Sequence, residues 1–459
     1  MGFQQNLACH VYWPLVQRLK SEHAAEALKK LRMSQWKSID ELYEMQWQLV
    51  RKTLNSGARE TLYYRQKLAD IGWDFDNKDF SYTDFLKIPK LEKETVRDRL
   101  WDLLNPYYKD RVTQGVTSGS TGQSLTLYYS SEHESFSEAA RWRAKEWWGV
   151  QLGASQVSIW GRPYSGYLDH ISQSIKSHLM NTLVVSAFDV KENKMAQIWE
   201  KILSFKPTII YGYPSAISIL AGYAKENGID GRKLGIKVVM ITAEASNSMQ
   251  RELIENVFGC QTANEYGCSE TGGFVYECPH GSWHISSELT FIEFLDKDGN
   301  PVSYGETGDI VVTHLRNSYM PLIRYKVGDI GSPLSGKCSC GRSLPLMQVS
   351  VAKERDFVRL PDGECHTSEI FVYITKAVLK KFPSSILHFK VIQKTLDLIE
   401  IQIVPGIKEI EKPLDLFRQL LEKQLGSKIF VKFQKLPSIK RDPSGKLKYF
   451  ISELRNNSL

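Results

Sequence analysis

Four short apolar runs constrain this fold more than any other feature of the chain. They are Gln156-Val157-Ser158-Ile159-Trp160, Leu183-Val184-Val185, Thr208-Ile209-Ile210-Tyr211 and Lys237-Val238-Val239-Met240-Ile241. An unbroken apolar run such as Ile209-Ile210-Tyr211 or Val238-Val239-Met240-Ile241 suits a strand covered on both faces. Parallel strands cannot be joined by a hairpin and need a crossover of a dozen or more residues. Residues 191–205 and 216–226 have that length and helical spacing, so the expected fold is α/β with a largely parallel sheet. Upstream, residues 20–70 place Leu28, Leu31, Trp36, Ile39, Leu42, Tyr43, Trp47, Val50 and Leu54 at helical spacing among Lys, Arg and Glu, which predicts an amphipathic helical lead-in. Downstream, Phe291-Ile292-Glu293-Phe294-Leu295 and Asp309-Ile310-Val311-Val312-Thr313 flank the turn formers Asp298-Gly299-Asn300-Pro301, an antiparallel β signature. After Lys353 the pattern predicts a smaller α+β unit, with a hairpin over 387–394 and 398–404 and a helix around 413–425.

Composition narrows the class. The 459 residues, 42% hydrophobic and 24% charged, suit a globular enzyme of two or three domains. Lys and Arg outnumber Asp and Glu by 59 to 52. Because charges of both signs are scattered, that excess favours anionic substrates rather than nucleic acid. No segment approaches the roughly 18 uninterrupted apolar residues of a membrane span, and the first ten residues lack a basic region followed by a long apolar run. A cytoplasmic location is the default expectation. Seven cysteines, thinly spread, do not form a secreted disulfide framework.

The chemistry concentrates in a few phrases. Thr117-Ser118-Gly119-Ser120-Thr121-Gly122 is a hydroxyl-rich, glycine-punctuated loop that can close around polyphosphate through backbone N–H groups and hydroxyls. It lacks the spacing and lysine of a Walker loop, and by itself such a run also suits an ordinary loop. Four further phrases follow in order: Tyr266-Gly267-Cys268-Ser269-Glu270-Thr271-Gly272, Gly305-Glu306-Thr307-Gly308-Asp309, Pro321-Leu322-Ile323-Arg324-Tyr325-Lys326-Val327-Gly328-Asp329 and Asp442-Pro443-Ser444-Gly445-Lys446. Together these five resemble the signature motifs of adenylate-forming enzymes, and most closely the phenylacetate-CoA ligase group with its CapK-like branch. Tyr63-Tyr64-Arg65 and Ile88-Pro89-Lys90-Leu91 resemble that branch too, so the likeness covers nearly the whole chain.

The resemblance implies an adenylate-forming enzyme fold. Residues 1–353 would form a large adenylation domain, with a helical lead-in to 105, an α/β core over 106–289 and a β portion over 290–353. Residues 354–459 would form a small mobile lid. It implies a two-step reaction: a carboxylic acid attacks the α-phosphate of MgATP to give an acyl-adenylate and pyrophosphate, and an acceptor then takes the acyl group. Residues 117–122 would cradle the β and γ phosphates, and Glu270 would bind Mg²⁺ through carboxylate oxygen. Tyr266 would offer its ring to adenine, and Asp329 would hold the ribose hydroxyls. Ala243, Glu244, Asn264, Gly267 and Ser269 complete the expected nucleotide site. Lys446 would enter to stabilise charge between the acyl carboxylate and the α-phosphate, and Asp356 would be the hinge. Two departures stand out: Lys353 replaces the family's arginine, which loses the planar fork of a ribose contact, and Gln123-Ser124 stands where many relatives place Pro-Lys.

A second constellation is metallic. Cys278, Cys338 and Cys340, with His280 or His284, could fill a tetrahedral Zn²⁺ site. The resemblance favours His284, which precedes Ile285 and lies near Glu288, and four protein ligands imply a structural zinc. The resemblance also places the acyl pocket along Trp160, Arg162, Tyr164 and Tyr167, with Tyr211, Tyr213 and residues 242–244. Aromatic rings with a guanidinium suit a hydroxylated or anionic acid, although those aromatics could equally be core. Coenzyme A is the leading acceptor, a sugar amine or hydroxyl in surface polysaccharide assembly is the second, and a zinc-bearing scaffold that binds nucleotide without turnover is the third. The sequence names no particular acid and no oligomeric state.

Overall fold

A computed structural model describes residues 2–19, 22–74, 80–116, 125–160, 177–190, 192–349, 357–382, 385–425, 429–440 and 447–454. The lead-in is a series of helices, among them α1 (Ala24–Ser34), α2 (Ile39–Lys52) and α3 (Leu62–Asp70). Ser38 and Glu41 form a reciprocal capping box that starts α2, and Leu42, Gln46 and Val50, four residues apart, turn its buried stripe inward. The nine apolar positions of the lead-in do not form one stripe: Trp36 falls in the turn between α1 and α2, and both Trp36 and Tyr43 are exposed. The helical spacing continues across a turn that the apolar pattern does not register.

Next comes a separate antiparallel hairpin, β1 (Val112–Val116) and β2 (Thr126–Ser130). Ser130 then caps α4 (Ser131–Trp147) by accepting the backbone N–H of His133. The parallel strands are β3 (Gln156–Trp160), β4 (Thr182–Ser186), β5 (Ile209–Gly212) and β6 (Val238–Thr242), connected through α5 (Met195–Phe205) and α6 (Pro214–Glu226). After α7 (Ser248–Phe258), β7 (Thr262–Cys268) adds in parallel to β6. Ile210, Val239 and Ile241 pack toward α5, α6 and α7. Their neighbours Ile209, Tyr211, Val238 and Met240 pack toward α1 and α4. Covering on both sides is why β5 and β6 show no polar alternation, and each buried Val or Ile contributes roughly 1.5–3 kcal/mol.

The antiparallel stretch joins this same sheet. Strands β8 (Gly272–Glu277), β9 (Trp283–Ile285), β10 (Thr290–Leu295), β11 (Gly308–His314), β12 (Tyr325–Leu334) and β13 (Leu346–Val349) extend it. Among the described residues the order is β10-β11-β12-β13-β9-β8-β7-β6-β5-β3-β4. The change in sequence character near residue 290 therefore marks a change of strand direction inside one sheet. Further on, β14 (Phe357–Arg359) pairs with β15 (Cys365–Thr367). Strands β16 (Ile386–Gln393), β17 (Leu398–Pro405), β18 (Phe430–Lys435) and β19 (Phe450–Ser452) form a four-stranded sheet in the order β18-β17-β16-β19. Its core includes Phe371 of α8 (Glu369–Lys381) and Phe417 and Leu421 of α9 (Glu411–Leu425).

Candidate functional site

Three of the motif phrases converge where the β7–β8 turn meets β12. A Cβ at Gly267 would lie 2.2 Å from the carbonyl oxygen of Gly272, and Gly272 has φ +80°, so only glycine closes this turn. The turn presents Glu270, which is buried and accepts the Tyr325 hydroxyl at 2.9 Å. Opposite it, the Tyr266 hydroxyl donates to Asp329 Oδ2 at 3.0 Å. Burial first, and the Asp329 charge next, push the Tyr266 phenol well above its ordinary value, which keeps it a donor. Its ring meets Phe274 edge-on at 5.4 Å. Tyr325 and Asp329 are fixed because Arg324, at φ +52°, is anchored by the buried carboxylate of Glu293 at 3.0 Å and by the carbonyls of Leu86 and Ile88. A non-glycine residue held at positive φ stores strain that its surroundings must over-determine.

The opposite wall begins where β6 ends. Ala243 is exposed at φ +67°, a second strained position. Glu244 accepts the backbone N–H of Ser215 at 3.2 Å and that of Leu447 at 2.6 Å, so the residue following Lys446 in the chain touches this wall. Asn264 donates its side-chain amide to Glu277 at 2.6 Å, and Ser269 is exposed. Trp160 lies over Tyr211 and Tyr213, with ring centroids 5.9 and 4.7 Å away. Of the expected site residues, Thr117, Ser118, Gly119, Ser120, Thr121, Gly122, Arg162, Tyr164, Lys353, Asp356 and Lys446 lie outside the described residues, as does Tyr167.

Two tyrosines had no role in the sequence reading. Tyr325 stands inside a signature phrase four residues before Asp329, and that spacing on a strand was its available signal. Tyr129, on β2, donates to the carbonyl of Ser269 at 2.6 Å and stacks on His133. It ties the hairpin that brackets residues 117–124 to the turn that carries Glu270.

Cys278, His284, Cys338 and Cys340 bring their ligand atoms within 4.8 Å of one another. The Cys278 and Cys338 sulfurs are 3.7 Å apart; a tetrahedral site with metal–sulfur bonds of about 2.3 Å has edges of about 3.8 Å. His284 Nδ1 lies 3.3 Å from the Leu344 carbonyl, which can only accept, so the proton sits on Nδ1. The Nε2 lone pair is left 3.3 Å from Cys340 Sγ. That orientation matches an imidazole ligand held from behind, and the donor set fits zinc. His280 instead pairs with Ser339 at 2.9 Å, away from the cluster.

An AMP-binding enzyme family profile matches residues 109–317, and a CapK C-terminal domain profile matches residues 367–453. The protein CapK of Staphylococcus aureus is 26% identical over 67% of this chain and 66% of its own length, just under two thirds. The phenylacetate-coenzyme A ligase of Thermus thermophilus is 24% identical over 84% of this chain and 85% of its own. Among solved structures, a 2-hydroxyisobutyryl-CoA ligase in its postadenylation state superposes with a TM-score of 0.70 at 18% identity, covering 89% of each chain, a likeness of fold. The chain belongs to the adenylate-forming superfamily, on its CapK and phenylacetate-CoA ligase branch.

Proposed function

We propose that this protein is an AMP-forming ligase that activates a carboxylic acid as its acyl-adenylate and passes the acyl group to coenzyme A. The observation that carries the reading is the paired arrangement of Tyr266 on Asp329 and Tyr325 on Glu270. Two buried carboxylates, Glu270 on the β7–β8 hairpin and Asp329 on β12, are each oriented by a phenol from the other of these two elements. In this reading Asp329 accepts the ribose hydroxyls, Tyr266 walls the adenine, and residues 243, 244, 264, 267 and 269 line the nucleotide. Residues 117–122 hold the β and γ phosphates, with Lys353 near the ribose. Mg²⁺, which Glu270 would hold, supplies charge neutralisation on the phosphates when bound.

The acid's carboxylate oxygen forms a bond to the α-phosphorus as the bond to the bridging oxygen breaks, and that oxygen leaves with pyrophosphate. Lys446 supplies positive charge where it develops in this step. Asp356 is the pivot between residues 1–353 and 354–459, and Leu447 on Glu244 is the contact such a movement would exchange. The cysteine–histidine cluster holds a structural zinc with no open position. Dependence on ATP, with six cysteines free among the described residues, suits the cytoplasm.

A second acceptor, an amine or hydroxyl of a surface-polysaccharide sugar, is favoured by one specific observation: the C-terminal match is to the CapK domain. The deciding experiment is pyrophosphate release across an acid library, alone and then with coenzyme A or aminosugars. Thioester formation with coenzyme A is the expected outcome. Turnover that accelerates only with a sugar acceptor would replace coenzyme A, and absence of acid-dependent release would overturn the reading.

A further inference from the structure

Helix α4 carries His133, Ser137, Arg141 and Lys145 at four-residue spacing, a polar stripe turned toward the sheet. His133, Ser137 and Lys145 are buried, and the Arg141 side chain is 30% exposed. The stripe meets the walls described above: a Cβ at Gly272 would lie 3.1 Å from Ser137 Oγ, and one at Gly273 would lie 2.9 Å from Glu265 Oε1. Glu265 accepts the hydroxyl of Tyr211, the expected acyl-pocket residue, at 3.1 Å.

Hydrogen-bond capacity in this cluster is one-sided. Arg141 makes no hydrogen bond among the described residues. Its Nε forms an ion pair with Glu265 Oε2 at 3.4 Å and its guanidinium a longer one with Glu138 at 3.9 Å, neither a hydrogen bond, and the guanidinium lies over the Tyr211 ring. Lys145 donates once, to Gln156 Oε1 at 2.7 Å, and otherwise faces the rings of Trp142 and Tyr211. Against these donors stands Glu265 Oε2, which accepts no hydrogen bond and serves Arg141 only as an ion-pair partner. Two cations, Arg141 and Lys145, stand with two carboxylates, the buried Glu265 and the partly exposed Glu138, so the surplus is of N–H donors rather than of charge. A partly buried guanidinium without hydrogen bonds has donors left to offer, and an acceptor-rich anion satisfies them.

We propose that this cluster is the far end of the acid site and that the substrate is a dicarboxylic acid, one carboxylate reacting with ATP and the other held by Arg141 and Lys145. The proposal rests on the ligase reading above and names its acid. An apolar acid would leave Arg141 facing hydrocarbon; a second carboxylate matches the planar fork of its guanidinium. Burial pushes the Lys145 ammonium down to about 8, and a bound carboxylate would favour its charged form.

The test is acid-dependent exchange between ATP and labelled pyrophosphate, using the full chain and matched pairs: succinate with butyrate, glutarate with valerate, adipate with hexanoate, terephthalate with 4-methylbenzoate. Each charge-assisted hydrogen bond is worth roughly 10- to 100-fold, so one diacid should exceed its partner in kcat/KM by about 30-fold or more. Arg141→Gln should collapse that ratio toward one, Arg141→Lys should restore part of it, and the unfolding midpoint of each variant checks its fold. A monoacid that matches or beats its diacid, or a ratio unmoved by Arg141→Gln, overturns the proposal and leaves the ligase reading intact. Exchange with none of the acids also overturns it. Calorimetric titration with MgATP then tests the ligase reading separately.

Discussion

Acidification should weaken this protein through a pair of buried histidines. His133 Nδ1 lies 2.9 Å from His314 Nε2, and His314 Nδ1 accepts the backbone N–H of Arg316 at 3.1 Å. His314 therefore carries its proton on Nε2 and donates it to His133, and both rings are neutral. Burial, then Arg141, pushes His133 down to about 3. Burial, then His133 and Arg316, holds His314 well below its ordinary value. A histidine whose folded pKa is depressed contributes stability that is full above the unfolded value near 6.5 and is lost as pH falls toward the folded value. At pH 5 the unfolded chain binds nearly one proton per ring and the folded chain almost none. Moving from pH 7 to pH 5 thus costs about 2 kcal/mol per histidine, about 4 kcal/mol for the pair, a large part of a typical 5–15 kcal/mol. Urea unfolding at the two pH values, in wild type and in His133→Gln/His314→Gln, should show the wild type losing about 4 kcal/mol more than the variant. Equal losses, or an imidazole resonance of either ring titrating near 6.5, would refute the neutral-pair argument.

Three further outcomes are expected. Arg143, fully buried, pairs with Glu288 at 2.7 Å. Arg143→Met should cost about 3–5 kcal/mol, and Arg143→Met/Glu288→Leu clearly less, because the single change strands a charge; a double variant as unstable as the sum would contradict this. Elemental analysis should find about one zinc per chain, with loss of metal and a lower unfolding midpoint in Cys338→Ser/Cys340→Ser; full loading in that variant would move the metal elsewhere. Lys446→Ala should slow adenylate formation by about 10²–10³ while sparing thioester formation from preformed acyl-adenylate. Equal loss in both half-reactions would remove Lys446 from its assigned step.

The sheet's centre was legible because burial on both faces writes itself as continuous apolar runs in β5 and β6; these strands and β3, which buries alternate residues, fall within a residue or two of the expected segments. Helix α9 was legible from its spacing. The single sheet was not, since pairing between distant strands such as β9 and β13 leaves no local trace. In the site, Glu270, Asp329 and Tyr266 stood in ordered phrases, whereas Arg141 and Glu265 did not. Their meeting depends on α4 crossing β7, and charged residues on a helix ordinarily read as a solvated face. The choice of His284 over His280 followed the resemblance; the structure groups it with the cysteines because β9 pairs with β13, which places His284 opposite Leu346.

The way α1 is held has a consequence for how the chain is made. Gln35 accepts the indole N–H of Trp147 at 2.8 Å, and its backbone carbonyl accepts Ser343 N–H at 3.1 Å. Ser34 bonds the carboxylate of Glu288, and Arg342 reaches Gln35 from 307 residues away. At 5–20 residues per second, a ribosome delivers that last partner some 15 to 60 seconds after α1 has emerged. During this interval Ala24, Ala27, Leu28 and Leu31 gain their cover in stages, α4 and then the strands of the sheet. The helix is thus fully secured long after it is translated. Chaperone demand during synthesis should fall on residues 24–35, and shortening the wait by moving them to the far end of a permuted gene would relieve it.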